Sequence, residues 1–525
     1  MSQPRAEPAP AVVQGFPEPV GDAPGPGLIE GSLDPAAMVI FGASGDLTGR
    51  KLVPALYSLF CHGGLPEPFV ILGCARSRFS DDAWRQKMRR AVAGHGGLDL
   101  TAWDRFAARL FYQPLVYDQP GTYRELRRRL QELEDGHGTG GNRVFNLAIP
   151  PGLYSEVVSL VGRAGMSAEG PGGSPWRRLV VEKPFGRDLA SARELSKAIA
   201  AGFQEHQVFR IDHYLAKETV QNVLILRFAN AIFEPIWNRN YIDQVTIIAA
   251  ESLGVEHRAG YYEQAGVLRD MFQNHMMQLL ALAAMEPPPR YGAEPVRDEK
   301  TKLFRSLRPY PATNAGDYLV LGQYTAGQVD GRPVAAYRDE PGVDPASLTP
   351  TFALLKVMVD NWRWQGVPFF LVSGKRLARK VTRMLIQFKE VPHCFFRQVL
   401  GEHITANRLV LGIQPDETTS LTIQTKSPGA RLGLRSVKMV FDYNADYRGP
   451  LLGAYEKALL NCMQGDQMLF WRQDGLELTW GLLDPVLHAC ERCQDRDQQL
   501  QPYAAGGWGP EAARRLLSLW PEAAK

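Results

Sequence analysis

The segment that most constrains the fold runs from residue 38 to residue 59 and combines a strand, a glycine turn and a helix. Residues 38–41 form a short apolar run, a turn with Gly42 and Gly45 follows, and a leucine-rich helical pattern comes next. This order sets backbone N–H groups at a helix N-terminus, where the pyrophosphate of a dinucleotide binds. A glycine motif that departs from Gly-x-Gly-x-x-Gly is a weak signal alone. Its place between a strand and a helix favours a dinucleotide site.

Strands and helices alternate along the chain from residue 36 to about residue 210. Further apolar runs of strand length occupy residues 69–74, 143–149, 179–181 and 208–211. Helical patterns lie between them, at residues 81–92, at 126–133, from 153 and at 188–203. This alternation predicts a mostly parallel sheet with helices on both faces, which is a doubly wound, Rossmann-type dinucleotide-binding domain.

The pattern changes after residue 240. A strand at residues 243–250 and one helix at about 261–285 are followed by segments that alternate with period two. Such segments predict a large, mostly antiparallel sheet with helices on one face. The fold class expected is therefore α/β followed by α+β. An uncovered region of the second sheet would be a natural surface for a homodimer or homotetramer.

Three parts of the chain follow from these patterns. Residues 1–35 are rich in Pro, Gly and Ala without apolar periodicity, which predicts a disordered tail. Residues 36–210 are predicted to form the dinucleotide-binding domain. Residues 211–525 are predicted to form a substrate-binding and dimerisation domain.

The end of the second strand predicts which dinucleotide binds. In folds of this kind an acid at that position accepts from the 2′-hydroxyl of NAD, whereas an arginine receives the 2′-phosphate of NADP. The sequence there is Ala75-Arg76-Ser77-Arg78, with no acid. Arg76 therefore favours NADP, and the alternative is that these arginines merely face solvent.

Composition excludes several classes of protein. A formal net charge of +3 over 525 residues gives no nucleic-acid footprint. No apolar run approaches the roughly 20 residues of a membrane helix, and no signal peptide is evident, so we expect a cytoplasmic protein without a membrane partner. Six cysteines do not make a disulfide framework in so long a chain. Cys490 and Cys493 form one Cys-x-x-Cys without a second pair, so no metal site is predicted.

A cluster of polar side chains follows the apolar run at 208–211, at the junction between the two architectures. It consists of Asp212, His213, Tyr214 and Lys217. A carboxylate can orient a histidine, and imidazole, hydroxyl and ammonium together suit a phosphate ester. The alternative is a solvated turn before a helix, with Asp212 as a local cap.

Four segments resemble the signature series of the glucose-6-phosphate dehydrogenase family, in that family's order and spacing. They are Gly42-Ala43-Ser44-Gly45-Asp46-Leu47, Glu182-Lys183-Pro184-Phe185-Gly186, Arg210-Ile211-Asp212-His213-Tyr214-Leu215-Ala216-Lys217-Glu218 and Arg269-Asp270-Met271-Phe272-Gln273-Asn274-His275. The likeness extends from about Met38 to residues 449–456 and beyond. It implies oxidation of glucose 6-phosphate at C1 to 6-phosphogluconolactone, the first oxidative step of the pentose phosphate pathway, with hydride transfer to NADP.

The resemblance also implies a role for individual residues. His275 matches the general base and Asp212 the carboxylate that orients it. The residues that match substrate ligands are His213, Tyr214 and Lys217 for the phosphate, Glu251 and Asp270 for sugar hydroxyls, and the cations Lys375 and Lys380. Those that match coenzyme ligands are Gly42, Ser44, Gly45, Asp46 and Leu47 in the turn, Arg76 at the 2′-phosphate, and Tyr154 and Lys183 beside the nicotinamide.

The residues support the pairing of Asp212 with His275 independently. Asp270 and His275 are five apart, which on an α-helix separates them by about 140 degrees. Asp270 is then poorly placed to hold the imidazole, so a partner from another segment is needed. Asp212 is the natural candidate, because a carboxylate on one ring nitrogen raises the basicity of the other.

Several alternatives remain open at this point. A catalytically silent regulator would lack the base or its orienting acid, yet both are present. A dehydrogenase of another sugar would leave a cation cluster with His213 and Lys217 unpaired. Lys375 and Lys380 could instead mark a solvated strand end. A second, structural NADP is not expected, because Val381, Leu385 and Gly412 stand at the positions that bind it in eukaryotic relatives.

Overall fold

The computed structural model describes residues 32–311, 315–393, 395–396, 404–430, 432–442, 451–492 and 499–518. Most of the predicted N-terminal tail, residues 1–31, lies outside the described residues, as do Cys493 and residues 449–450. The predicted domain boundary after residue 210 stays a prediction.

Seven strands of the described chain form the first sheet, in the order β17-β6-β5-β4-β1-β2-β3. The strands are β1 (Ala36–Phe41), β2 (Phe69–Ala75), β3 (Leu110–Pro114), β4 (Arg143–Leu147), β5 (Arg177–Val181), β6 (Val208–Ile211) and β17 (Phe470–Trp471). The first six pair in parallel. This confirms the Rossmann-type sheet. The sequence did not predict β17, which comes from the distant C-terminal part and adds an antiparallel edge beside β6.

Helices alternate with these strands as the periodicity predicts. They are α1 (Val53–Cys61), α2 (Asp81–Ala93), α3 (Leu100–Ala107), α4 (Pro120–His137), α5 (Tyr154–Arg163) and α6 (Leu189–Ala200). Side-chain caps fix the N-termini of two of these helices. Ser80 accepts from the third N–H of α2, and Asp188 forms a capping box with Ser191 on α6. One detail differs: the helix after the glycine turn begins with a π-helical turn, Thr48–Leu52, before α1.

Nine strands of the described chain form the second sheet, in the order β16-β15-β14-β13-β7-β12-β11-β8-β18. They are β7 (Ile242–Ala250), β8 (Leu319–Thr325), β11 (Phe352–Met358), β12 (Pro368–Gly374), β13 (Val381–Phe388), β14 (Arg408–Gln414), β15 (Thr418–Lys426), β16 (Leu434–Asp442) and β18 (Leu500–Ala504). Pairing is antiparallel except at β7–β12 and β8–β18, which are parallel. A separate hairpin consists of β9 (Gly327–Val329) and β10 (Arg332–Val334). The mostly antiparallel sheet is confirmed.

The single helix predicted at about 261–285 is wrong. The segment divides into α8 (Ala259–Val267), a π-helical segment (Leu268–Met276) and α9 (Met277–Ala284). Gly266 breaks the helix, with φ 59° and ψ 177°. In a π-helix the backbone bonds join residues five apart, so residues at that spacing stack on one side. The 140-degree separation of Asp270 and His275 therefore does not apply.

The remaining helices are α7 (Glu218–Phe228), α10 (Ala293–Arg305), α11 (Ala454–Gln464), α12 (Gln473–Arg492) and α13 (Ala512–Leu516). None of the helices in the described ranges has the length and apolar character that a membrane crossing requires. The end of the second sheet formed by β14, β15 and β16 is only partly buried, and Phe441 on β16 is 50% exposed.

Candidate active site

The centre of the site is a hydrogen bond between Asp212 and His275. Asp212 directly follows β6, and His275 lies in the π-helical segment. Nδ1 of His275 is 2.5 Å from Oδ1 of Asp212, and the backbone N–H of Tyr214 donates to the same oxygen at 3.0 Å. Both side chains are buried. Because the carboxylate accepts from Nδ1, the proton of the neutral ring lies there, and Nε2 is the free base.

Lys183 and Asp270 lie beside that base. Nζ of Lys183 is 3.1 Å from Nε2 of His275 and 3.1 Å from Oδ1 of Asp270. The hydroxyl of Tyr261 donates to the same Asp270 oxygen at 3.1 Å. The π-helical geometry brings Asp270 and His275 to one side, where a single ammonium bridges them.

The electrostatics keep the imidazole neutral and the carboxylates ionised. Burial and the Lys183 charge lower the pKa of His275, although Asp212 opposes them. Burial acts to raise the pKa of Asp212, but the adjacent His275 holds it below its ordinary value. Burial acts likewise on Asp270, whose pKa is held low by Lys183 and then Lys375. The site therefore contains a neutral base between two charged acids.

Aromatic rings enclose the base. The ring of Tyr214 stacks on His275 with centroids 4.2 Å apart, and the ring of His213 lies 4.6 Å from it. Burial and the neighbouring His275 lower the pKa of His213 well below its ordinary value. The packing restrains the imidazole to one orientation.

Cations gather next to these rings. Nζ of Lys217 lies 4.1 Å from the Tyr214 ring centroid and 2.5 Å from Oε1 of Gln414. Burial, followed by the charge of Lys380, lowers the pKa of Lys217 to about 8. Lys380 itself is exposed. The two lysines make this end of the site cationic, and the ring of His213 lies beside them.

Glu251 and Lys375 are brought together by two adjacent parallel strands. Glu251 follows β7 and Lys375 follows β12, and the last residues of these strands, Ala250 and Gly374, pair. Nζ of Lys375 is 2.5 Å from Oε2 of Glu251. The charge of Lys375 also acts on Asp270. Glu251 and Lys375 therefore lie close to Asp270 and Tyr214, and the exposed Lys380 lies close to Lys217.

The glycine turn has the geometry of a dinucleotide cradle. Gly42 has φ +91°, and a Cβ there would lie 2.0 Å from the carbonyl oxygen of Ala148. A Cβ at Gly45 would lie 3.1 Å from the carbonyl oxygen of Gly42, which is a tight approach. The Ser44 carbonyl accepts from Lys87 at 2.6 Å. Only glycine fits at residue 42, so the turn presents bare backbone.

A cleft lies beside the glycine turn and next to two neighbours of the base, Lys183 and His213. Asp46 and Leu47 line it at one end, and Lys183 and His213 line it at the other. Arg76, just after β2, is exposed and makes no ion pair within the described part of the chain. A cleft beside a glycine cradle and next to the neighbours of a base fits a dinucleotide.

Tyr154 begins α5, and the place beside the nicotinamide that the resemblance implies for it stays a prediction. It is buried, and its hydroxyl donates to the backbone carbonyl of Glu182 at 3.2 Å. It is not among the side chains that line the cleft. Tyr154 thus supports the residue before Lys183.

Sequence reasoning missed three polar neighbours of the site. Tyr261 contacts Asp270 across the break at Gly266, and Gln414 contacts Lys217 from a distant strand. The hydroxyl of Tyr455 donates to Glu182 at 3.2 Å, and burial raises the pKa of that carboxyl to about 7. The contacts of Gln414 and Tyr455 leave no local signal, because they join segments far apart in sequence, and that of Tyr261 depends on the break at Gly266.

The donor set around the base suits a metal ion poorly. Ligand atoms of Asp212, His213 and His275 lie within 4.8 Å of one another. However, the bond between Asp212 and His275 occupies Nδ1, and the Lys183 ammonium lies against Nε2. The prediction that the chain has no metal site stays a prediction.

Comparison with known proteins identifies the family. The family model described as "Glucose-6-phosphate dehydrogenase, NAD binding domain" matches residues 39–222, and the model for the C-terminal domain of the same enzyme matches residues 224–520. The chain belongs to the glucose-6-phosphate dehydrogenase family. The first match makes the N-terminal part a dinucleotide-binding domain for a nicotinamide coenzyme.

Curated relatives and solved structures agree with this assignment. The chain is 45% identical over 482 residues to glucose-6-phosphate 1-dehydrogenase of Aggregatibacter actinomycetemcomitans, covering 92% of this chain and 95% of that protein. It is 40% identical over 483 residues to the Bacillus subtilis enzyme, covering 92% and 96%.

Two solved structures cover nearly the whole chain. A glucose-6-phosphate dehydrogenase in complex with its substrate glucose 6-phosphate superimposes with a TM-score of 0.84 at 33% identity, covering 93% of this chain and 98% of that one. The enzyme from Mycobacterium avium gives 0.78 at 33% identity, covering 92% and 97%. The resemblance stated on the sequence motifs is confirmed at the level of the family.

Proposed function

We propose that this protein oxidises glucose 6-phosphate at C1 to the 1,5-lactone and transfers the hydride to NADP. The observation that carries the proposal is the buried hydrogen bond between Asp212 and His275, 2.5 Å long, which lies beside Lys183 and His213 of the dinucleotide cleft. It supplies a neutral, oriented base where the coenzyme cleft meets a cationic pocket. Membership of the family supports the same reaction.

His275 is the general base in this mechanism. Nε2 accepts the proton of the C1 hydroxyl, and the C1 hydroxyl takes the place at which Lys183 donates in the free enzyme. Asp212 remains ionised, because its pKa is held low, and stabilises the imidazolium that forms. When the C1 hydroxyl replaces it at Nε2, Lys183 keeps its ion pair with Asp270. Nicotinamide, when bound, supplies the hydride acceptor.

The cationic end of the site selects the phosphate. His213 and Lys217 provide hydrogen-bond donors, and Lys380 adds a further positive charge at the exposed edge. Charge-assisted bonds to phosphate oxygens suit this set, whereas a neutral sugar would leave buried donors unpaired. The pair of Glu251 with Lys375 and the carboxylate of Asp270 are available to the sugar hydroxyls.

The coenzyme is NADP in this proposal. Arg76 lies just after β2, where the adenosine ribose of a dinucleotide comes in folds of this kind, and the segment from Ala75 to Arg78 contains no acid. Asp46 and Leu47 line the cleft at the glycine turn. Lys183 lines its opposite end, beside the base.

Assembly as a homodimer or homotetramer belongs to the same proposal. The partly buried end of the second sheet offers a surface, because β16 is a nine-residue edge strand and Phe441 on it is half exposed. Sedimentation of the purified protein would measure the state directly. A location in the cytoplasm remains an expectation from the sequence.

The test is an assay of coenzyme reduction with two sugars and two coenzymes. Glucose 6-phosphate is compared with glucose, and NADP with NAD, by following the absorbance of the reduced nicotinamide. We expect the highest kcat/KM with glucose 6-phosphate and NADP. Equal rates with glucose and glucose 6-phosphate would contradict the assignment of a phosphate-binding pocket. No reduction of either coenzyme with either sugar would contradict the proposed dehydrogenase activity.

A further inference from the structure

A buried carboxylate outside the set described above joins three separate segments. Glu340 follows a short 3-10 turn and is 7% exposed. Its Oε1 accepts from the hydroxyl of Tyr324 at 2.6 Å and from Nη2 of Arg376 at 3.2 Å. Its Oε2 accepts from the backbone N–H of Glu256 at 3.2 Å. Both oxygens are therefore used as acceptors, and all three partners are donors.

Two of these partners have a positive φ, a backbone conformation that residues other than glycine rarely adopt. Glu256 has φ 48° and Arg376 has φ 51°. The backbone of Gly254 packs directly against the same group, because a Cβ there would lie 2.3 Å from Oε1 of Glu340 and 2.7 Å from Nε of Arg376. Strained residues persist only where their surroundings hold them, and they concentrate at functional sites. Here one carboxylate, that of Glu340, contacts both strained residues.

The two strained turns carry the pair at the sugar end of the site. Glu251 begins the first turn, and Lys375 immediately precedes Arg376 in the second. The turns are bonded to each other, since the N–H of Arg376 donates to the carbonyl of Leu253 at 3.2 Å and the N–H of Leu377 to that of Glu251 at 2.9 Å. A shift of either turn would thus move Glu251 relative to Lys375.

We propose that Glu340 is a positioning residue for sugar binding, which holds the turns at residues 251–256 and 375–377 so that Glu251 and Lys375 face the substrate. The inference rests on the proposed function and deepens it, since it names a residue that acts through others and touches no substrate. The charge matters as well as the shape. An amide would direct its NH₂ group at one of the donors, because only one of its two polar ends accepts.

The test compares Glu340→Gln with wild type in steady-state kinetics. We expect the KM for glucose 6-phosphate to rise roughly tenfold or more. The NH₂ group of the new amide then faces one of the three buried donors, which loses its acceptor. The KM for NADP should rise less than that for glucose 6-phosphate, because none of residues 251–256 and 375–377 lines the coenzyme cleft, although the neighbouring Arg258 does. Gly254→Ala, which crowds the same carboxylate from the other side, should give the same split between the two KM values.

A matched control is available on the neighbouring helix. Glu263 accepts from the hydroxyls of Tyr337, at 2.5 Å, and of Ser347, at 2.8 Å, and within the described residues it has no hydrogen bond or ion pair with either turn. Glu263→Gln should leave both KM values near those of wild type. Equal rises of both KM values in Glu340→Gln, or a lower melting temperature with both KM values unchanged, would overturn the inference.

Backbone hydrogen exchange gives a readout that does not depend on turnover. Amides at residues 251–258 and 375–377 should exchange faster in Glu340→Gln and be unchanged in Glu263→Gln. Unchanged exchange in both variants would overturn the inference even if kinetics differ. A wild-type protein that fails to oxidise glucose 6-phosphate would instead contradict the proposed function, and the exchange measurement would still decide the role of Glu340.

Discussion

Nζ of Lys183 lies 3.1 Å from Nε2 of His275, so the base of the site is faced by a cation in the free protein. A positive charge at this distance opposes protonation of the ring and lowers its pKa, in addition to the effect of burial. The imidazole is therefore neutral at lower pH than an ordinary histidine. This relationship gives the site a pH dependence that can be tested.

Lys183→Met should move the acid limb of the pH profile to higher pH. Removing the cation leaves Asp212 and Asp270 as the charged neighbours of His275, and both favour the protonated ring. The pKa of the base then rises, so activity is lost at a higher pH as pH falls. The measurement is kcat/KM for glucose 6-phosphate against pH, which reports the free enzyme. The exposed Lys197, replaced by Met, is the control, and an acid limb that stays in place or moves down would refute the expectation.

Arg76→Ala should weaken NADP far more than NAD. A charge-assisted bond to the 2′-phosphate contributes about 1.5–3 kcal/mol, so the KM for NADP should rise roughly tenfold to a hundredfold while that for NAD changes little. The control is Arg78→Ala, because Arg78 is also exposed. It tests whether the loss of any positive charge near β2 weakens NADP binding as much as the loss of Arg76. Equal losses with both coenzymes would remove the 2′-phosphate assignment.

Lys217→Gln should reduce affinity for the phosphorylated sugar alone. The amide keeps a partner for Gln414 but loses the charge that faces the phosphate, so the KM for glucose 6-phosphate should rise about tenfold or more. The rate with free glucose, however slow, should be unaffected and serves as the internal control. A matching loss with glucose would show that Lys217 acts on the fold and not on the phosphate.

Gly266→Ala should destabilise the segment that carries the base. Its φ of 59° and ψ of 177° lie in a region essentially restricted to glycine, and forcing another residue there costs about 1–3 kcal/mol. We expect a lower melting temperature together with a lower kcat. Gly260→Ala on α8 is the matched control, since nothing lies within 4 Å of its added Cβ and alanine favours the helix. Equal behaviour of the two variants would contradict the role given to the break.

The architecture was predictable wherever the apolar pattern is local. Buried parallel strands such as β1 and β2 appear as continuous apolar runs, and the glycine turn between β1 and α1 has its own signature. The antiparallel strands after residue 350 alternate with period two. β17 could not be found, because two residues carry no periodicity and pair with β6 only after the chain has folded back.

The sequence predicted which residues form the site, but it did not predict all of the contacts between them. The motifs placed Asp212 and His275 in one site, and the structure brings them to 2.5 Å. The 140-degree separation of Asp270 and His275 was wrong, since periodicity assumes an α-helix and cannot reveal a π-helical segment after Gly266. Contacts such as that of Gln414 with Lys217 join residues 197 apart in sequence and leave no local trace.

The central claim is that Asp212 acts through His275 as one unit, and a double-variant cycle tests it most directly. His275→Asn should lower kcat by at least about 100-fold with little change in substrate affinity, and Asp212→Asn should also lower kcat strongly. Because the acid works only through the base, the double variant should be no slower than His275→Asn, within about threefold. A kcat loss in the double variant equal to the product of the two single losses would contradict the account.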